Sequence, residues 1–544
     1  MAGSTISRLL IVITFFWVIG ILYFARSDAV AGIQPKVVVD SPQVPSAVPQ
    51  PPPPPLEHGS DARRDEPVVP SPPPPPAPHA PPAPRVSAAP VAASSVPRRP
   101  HRDWGNTAVV ILAYNRPDYL KRTLDSLMAL DGIDELSVYV SQDGRDPGVA
   151  EMARSFESRG VTLIQREHIL RGHEHNAGTA FLAQHYQDCL TRLFNDRRHD
   201  LVILLEDDMV FSPDFITYFK QTSVLLEVDP SIFCVSSWND NGFENLDLDA
   251  RKLFRTSFFP GLGWMLHREL WNELKPKWPG DHWDHWMRLS TTHRGRQCVS
   301  PELSRNFNIG EKGATVQSAT YNQFLKRIAY NKEPNVDLGD LSYLLRDQYE
   351  LFVRDVVAHA QHLKSPPHGA WTVAKFEQAV AELSPSQPVL ITYFREEWKP
   401  LATTFTLFPN PRGHFQHTTI IRFHGRFIIL CNARQSPHLP DTLRVDAPAN
   451  MQTIKAERDQ SCDDACGNAG GTCDVKSFEF INSCEVLAKH FACERGCKLE
   501  VGPDVPNYVP DSKDWNYQRC LISNEESPCK AHHRSTQRIC ACVV

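Results

Sequence analysis

Five consecutive apolar residues, Leu201, Val202, Ile203, Leu204 and Leu205, run straight into Glu206, Asp207 and Asp208. A strand with no polar residue on either side must be covered on both faces, the condition of a parallel sheet sandwiched between helices. The carboxylates that follow then lie at the strand's carboxyl end, where open α/β sheets bind their ligands. Three adjacent acids there repel one another unless a hard divalent cation or hydroxyl donors compensate them, and carboxylate oxygens suit magnesium or manganese. A solvated turn, with Pro213 and Asp214 capping the next helix, would accommodate them as well.

The flanking text has the same grammar. Residues 107–113 read as a buried strand, and a helix follows in which Pro117 suits the first turn while Leu120, Leu124 and Leu127 repeat at helical spacing. Residues 136–141 predict a second strand running into Gln142-Asp143-Gly144, 149–158 a helix, 161–165 a third strand and 179–194 another helix. This alternation predicts an α/β fold with a mostly parallel sheet and helices on both faces. No Gly-rich phosphate loop accompanies it, which disfavours dinucleotide and Walker sites. With 57 Lys and Arg against 63 Asp and Glu, the net charge of -6 supplies no basic field for nucleic acid.

The two ends differ from this centre. Residues 9–25 carry no charge between Arg8 and Arg26, which predicts a transmembrane signal anchor with a cytoplasmic tail at 1–8. Ala29-Val30-Ala31 leaves a cleaved signal peptide as the alternative. Of residues 41–100, 22 are proline, so 26–103 reads as a disordered stem, a polyproline spacer rather than a ligand for SH3 or WW readers. An anchor at this end makes the body lumenal. Ten of the 14 cysteines fall at or after Cys462, and in that setting 456–544 reads as a module with up to five disulfides. Cys462-x3-Cys466 and Cys493-x3-Cys497 would also suit zinc.

Longer runs carry a resemblance. They include Val140-Ser141-Gln142-Asp143, His185-Tyr186, Cys234-Val235-Ser236-Ser237-Trp238-Asn239-Asp240, Phe258-Phe259-Pro260-Gly261-Leu262-Gly263-Trp264, Trp283-Asp284-His285-Trp286-Met287-Arg288 and Gly295-Arg296-Gln297-Cys298. In these the chain resembles N-acetylglucosaminyltransferase I and its relatives, strongly over 106–331 and weakly over 390–433. The resemblance implies a GT-A type nucleotide-sugar transferase domain at 104–345 and, within 346–455, a linker and a small β-rich domain. It implies inverting transfer of N-acetylglucosamine from UDP-N-acetylglucosamine, in β1,2 linkage, to the α1,3-linked mannose of N-glycans. The expected setting is the Golgi membrane, type II, with the catalytic part lumenal.

Residue by residue, the resemblance makes Asp208 the direct ligand of Mn2+ and gives Glu206 and Asp207 the sugar and ribose hydroxyls. Asp143 accepts from uracil, Arg116 and His185 contact the nucleotide, and Thr315 contacts phosphate from the loop Gly310-Glu311-Lys312-Gly313-Ala314-Thr315. Asp284 is the base on the acceptor side. From the residues themselves, the broad apolar rings of Trp283 and Trp286 suit packing against sugar faces. Taken alone, His185 would read as a half-buried helix histidine and Trp-Asp-His-Trp as a packed turn. Cys234 and Cys298 match a family disulfide, whereas Tyr114 and Gly144 stand where a second pair would be, and 166–176 departs from the family text. The tail resembles the Cys-rich C-terminus of N-acetylglucosaminyltransferase V. The alternatives are an O-mannose β1,2-N-acetylglucosaminyltransferase and a non-catalytic lumenal carbohydrate-binding protein. The latter would be expected to have lost a metal or base carboxylate, and Asp208 and Asp284 are both present.

Overall fold

The computed structural model describes residues 96–167, 177–311, 318–366, 369–523 and 527–544. The expected anchor at 9–25 and the stem up to residue 95 lie outside them. Among the described residues no helix is long and apolar enough to cross a membrane.

The first ten strands are β1 Thr107–Ala113, β2 Ser137–Asp143, β3 Val161–Arg166, β4 Leu201–Glu206, β5 Met209–Phe211, β6 Ile232–Ser236, β7 Leu253–Thr256, β8 Trp264–His267, β9 Gln297–Pro301 and β10 Asn306–Asn308. Eight form one sheet in the order β3-β2-β1-β4-β8-β6-β9-β7, while β5 and β10 pair with each other. The first four of that order are parallel, and the chain passes between them through helices Pro117–Leu127, Pro147–Arg154 and Ala177–Thr191. The expectation of a mostly parallel sheet needs correction beyond them. Strand β8 runs antiparallel to β4 and β6, and β7 antiparallel to β9, so the sheet is mixed. No helix separates β6, β7 and β8, and a parallel neighbour requires a crossover connection.

Both faces are covered, as the apolar run requires. Leu201, Ile203 and Leu205 of β4 enter a core with Leu120, Leu124, Leu127, Phe215 and Phe219. Val202 and Leu204 point the other way, onto Ala183, Tyr186, Leu190 and Phe194. At about 1.5–3 kcal/mol for each fully buried aliphatic side chain, this strand alone is worth several kcal/mol of burial.

A second sheet contains β11 Gln361–Leu363, β12 Val389–Tyr393, β13 Thr418–Phe423 and β14 Arg426–Asn432, in the order β11-β12-β14-β13. Leu390, Ile429 and Cys431 join the first core, whereas Val389, Ile391, Ile428 and Leu430 pack on helices Val373–Val380 and Trp398–Phe405. The trailing segment expected to be β-rich is therefore an α/β layer that shares a core with the main sheet.

In the tail, β15 Met451–Arg458, β16 Thr472–Cys473, β17 Cys497–Leu499, β18 Asn507–Tyr508, β19 Cys520–Ile522 and β20 Gln537–Val543 make a third sheet. Five disulfides join Cys462 to Cys540, Cys466 to Cys542, Cys473 to Cys529, Cys484 to Cys497 and Cys493 to Cys520. With all ten sulfurs paired, the zinc alternative is overturned, because zinc needs free thiolates. Cys234 and Cys298 are bonded between β6 and β9, whereas Cys189 and Cys431 are free and buried.

Candidate active site

Parallel strands end together, and that brings distant residues to one edge. The register sets Leu112 beside Glu206 and Asp143 beside Arg166, and Arg116 begins the chain's turn into helix Pro117–Leu127. The Arg116 guanidinium donates to the Asp207 carboxylate and lies 2.8 Å from Asp208 Oδ2. From the same helix the Thr123 hydroxyl donates to the Asp207 carbonyl at 2.8 Å and accepts the Met209 N–H at 3.1 Å, which clamps the acidic turn. Burial pushes the Glu206 carboxyl well above its ordinary range, and the neighbouring Asp208 adds to this. Asp207 is pushed up to about 6, by burial first, with Arg116 opposing. One guanidinium does not compensate three carboxylates.

Asp208 is held from a second direction. Strand β10 pairs with β5 so that Asn308 lies opposite Met209, and the Asn308 amide donates to Asp208 Oδ1 at 3.2 Å. The next N–H, of Ile309, donates to the Asp208 carbonyl at 2.8 Å. Gly310 follows, and a Cβ on it would stand 2.2 Å from Asp208 Oδ2, so only glycine lets this loop pass the carboxylate undisturbed. The chemistry of the donor set fits a hard divalent ion: Asp207 and Asp208 are adjacent carboxylates that share one guanidinium. Two other metal-competent groups occur among the described residues. His101, Asp103 and His267 lie at the opposite end of the sheet, since His267 pairs with Leu201 at the start of β4. Asp463 is near Cys473 and Cys529, whose sulfurs are bonded to each other.

The acceptor-side candidates join this edge through an aromatic stack. The Tyr186 hydroxyl donates to Glu206 Oε1 at 3.0 Å, and the Tyr186 ring lies 4.0 Å from that of Trp283. Trp283 is only 4% exposed, with Trp264 and Trp278 stacked 5.9 and 6.0 Å away. In this structure its faces meet other rings, and it braces the short helix Trp283–Met287. Asp284, next on that helix, is 2.8 Å from Arg288 Nη1, and Arg288 Nε donates to the Phe259 carbonyl at 3.1 Å. Burial would raise the Asp284 carboxyl, but Arg288 and then His285 outweigh it and hold the group below its usual range. It is therefore ionised at neutral pH, the form that accepts a proton. Two nearby carboxylates have partners of their own: Asp240 is 2.8 Å from the Arg412 guanidinium, and Asp281 is 3.6 Å from the His282 ring.

Of the remaining expected residues, Asp143 is buried with Arg166 Nε 3.4 Å away, and His185 Nε2 is 2.9 Å from the Ser141 hydroxyl. Thr315 lies outside the described residues. Sequence reasoning missed Tyr186, Asn308 and Arg288 as members of the site, and it placed Gly310 in the phosphate loop without its contact to Asp208. Only Arg288 had a local signal, its i,i+4 spacing from Asp284 on a helix.

The GNT-I family profile matches residues 84–430. The alpha-1,3-mannosyl-glycoprotein 2-beta-N-acetylglucosaminyltransferase of Arabidopsis thaliana is 38% identical over 265 residues, which is 47% of this chain and 59% of that protein. The chain thus matches about three fifths of that relative's length. Among solved structures, a mannosyltransferase from Pyrobaculum calidifontis in complex with GDP-Man and Mn2+ is 20% identical, with 37% of this chain and 55% of that chain covered and a TM-score of 0.27. S. aureus TarS, residues 1–349, is 11% identical, with 41% of this chain and 70% of that chain covered and a TM-score of 0.28. Scores this low establish no shared fold, and the architecture rests on the strand topology above. The family match takes in the carboxylate cluster after β4 and the helix that bears Asp284, and it stops before the Cys-rich module. By that match the chain belongs to the GNT-I family.

Proposed function

We propose that the chain is an inverting GT-A type glycosyltransferase that moves N-acetylglucosamine from UDP-N-acetylglucosamine, in β1,2 linkage, to the α1,3-linked mannose of N-glycans. The observation that carries this reading is the coexistence, inside one family match, of two carboxylate settings joined by the Tyr186–Trp283 stack. One is a crowded acidic cluster at a strand end, and the other is a single ionised Asp284.

The donor would lie over the carboxyl ends of β1, β2 and β4. Asp143 would accept from the uracil N–H, Arg116 and His185 would contact the nucleotide, Glu206 and Asp207 would take sugar and ribose hydroxyls, and Thr315 would reach a phosphate. Mn2+ bound at Asp208 would supply Lewis-acid stabilisation of the charge that grows on the leaving diphosphate. Asp284 would take the proton from the attacking mannose hydroxyl, on the side opposite the leaving group, as inversion requires. Arg288 keeps Asp284 ionised and aimed. The reading includes a signal anchor at 9–25 in the Golgi membrane with the catalytic part lumenal, and the six disulfides suit such an oxidising compartment.

Paired variants test it. Asp284→Asn keeps a hydrogen-bonding group but removes the base, so UDP binding in Mn2+ should hold while single-turnover transfer falls 10² to 10⁴-fold, about 3–5 kcal/mol. Asp208→Asn should instead weaken Mn2+-dependent binding of the donor, read by calorimetry. Wild-type transfer rates in Asp284→Asn would move the base elsewhere, and a wild-type chain that transfers to no mannoside would refute the reading.

A further inference from the structure

The Cys-rich module lies outside the family match, yet it packs on the helix that carries the candidate base. Strand β17 lies against Trp283–Met287, and one turn further on the Ser290 hydroxyl donates to Glu485 of the module at 2.6 Å. On β17, Lys498 Nζ lies 4.0 Å from the centroid of the Trp515 ring and 3.4 Å from Glu500, whose carboxylate also accepts from the Asn516 amide at 3.4 Å. Trp515, the module's single tryptophan, is 47% exposed. After the hydrogen bond from His282, Lys498 and Arg519 help to hold the Asp281 carboxyl low, so the module's cations face the segment just before Asp284.

The half-exposed indole is backed by the Lys498 ammonium over its ring, with the Glu500 carboxylate beside that ammonium, so it presents a broad apolar surface next to charged hydrogen-bonding groups. A sugar ring has the complementary surface, C–H groups on one face and hydroxyls at the rim. A docking face for a protein would be expected to expose a larger contiguous apolar patch. We propose that Trp515, backed by Lys498 over its ring and with Glu500 beside that ammonium, is an acceptor subsite that binds a sugar ring of the glycan beyond the mannose reacting at Asp284. The proposal rests on the transferase reading for the identity of the glycan. The module then adds binding energy from a part of the substrate remote from the chemistry, which a transferase can use for orientation.

The test uses the full chain and two ligands, a branched mannose pentasaccharide and methyl α-mannoside, titrated into wild type, Trp515→Ala, Trp515→Phe and Lys498→Gln. Truncating a central aromatic contact should raise the pentasaccharide Kd about ten-fold, and the wild-type preference for pentasaccharide over methyl mannoside should collapse. Phe should restore most of it, and Lys498→Gln should give a smaller rise, about three-fold, through loss of the cation that fixes the indole. Equal weakening of both ligands, or no change in Trp515→Ala, would overturn the subsite. If the wild type binds the pentasaccharide through Trp515 but transfers no N-acetylglucosamine, the transferase reading fails and the subsite stands. If transfer proceeds and Trp515→Ala leaves the preference intact, the reading stands and the subsite fails.

Discussion

The sheet domain buries Leu, Ile and Val from both faces of its strands, as the seven residues of β1 and the six of β4 show. In the Cys-rich module β16 and β18 have only two residues each, and the apolar residues at the centre are few: Ala456, Ala465, Phe478, Ile481, Leu487, Phe491, Ile539 and Ala541 among the half-cystines. One region orders its chain by removing surface from water. The other depends on bridges that restrict its unfolded state. The difference matters for the site, because the acidic cluster stands on strands that hold themselves, whereas the helix of Asp284 leans on a region that is covalently stapled.

Reduction should therefore divide the molecule, and this is the largest effect expected. Bridges of this kind are typically worth about 2–4 kcal/mol each, more than a core this small can replace. Under mild reductant, hydrogen exchange should show 451–544 losing protection while β1, β2 and β4 keep theirs. Loss of both regions at one reductant concentration would mean a single cooperative unit and would break the comparison.

A buried ion pair fastens the two regions. Arg434 Nη1 is 2.6 Å from Glu479 of the module, both side chains are buried, and the Asn432 amide also donates to Glu479. Glu479→Ala leaves Arg434 without that partner in a dry interface, a change that costs about 3–5 kcal/mol. Glu396, 3.6 Å away, tempers the loss. Limited proteolysis between 434 and 450 should accelerate while UDP binding persists; unchanged cleavage would show that the module docks by other contacts.

A smaller effect belongs to the site itself. Gly310→Ala places a methyl against Asp208 Oδ2, and the carboxylate has to move. Mn2+-dependent donor affinity should fall about ten-fold, roughly 1.4 kcal/mol, with the melting temperature nearly unchanged. Wild-type affinity in this variant would remove Asp208 from the metal assignment.

Sequence reading recovered what depends on local pattern. The apolar runs located β1 and β4, and the even cysteine count foretold the five tail bridges, though not their connectivity: Cys462 and Cys466 reach Cys540 and Cys542 on β20. What it missed depends on register between distant segments. Asn308 meets Asp208 only because β10 pairs with β5, nearly a hundred residues earlier. Trp283 read as a ring for a sugar, and no local signal distinguishes that from a ring stacked on Tyr186. The reversal at β8 escaped because four residues, Trp264–His267, carry no direction in their hydropathy.

The smallest expected effect is none at all, and it concerns the two free thiols. Cys189 sits on helix Ala177–Thr191 with its thiol pushed up to about 12 by burial, and Cys431 on β14 is pushed up to about 11 for the same reason. Since the thiolate is the reactive form, roughly one in 10³ to 10⁴ of these groups would be ionised at pH 8 even with free access. Iodoacetamide should label neither in the native chain. Mild reductant should expose the ten module cysteines and still leave Cys189 and Cys431 unmodified, and the Cys234–Cys298 bridge, buried between β6 and β9, should stay closed until denaturant is added. Peptide mapping by mass spectrometry reads all 14 positions in one experiment. Labelling of Cys189 together with the module cysteines would show that the sheet domain opens when its neighbour does, and its apolar core would not be the independent support on which the acidic cluster is argued to stand.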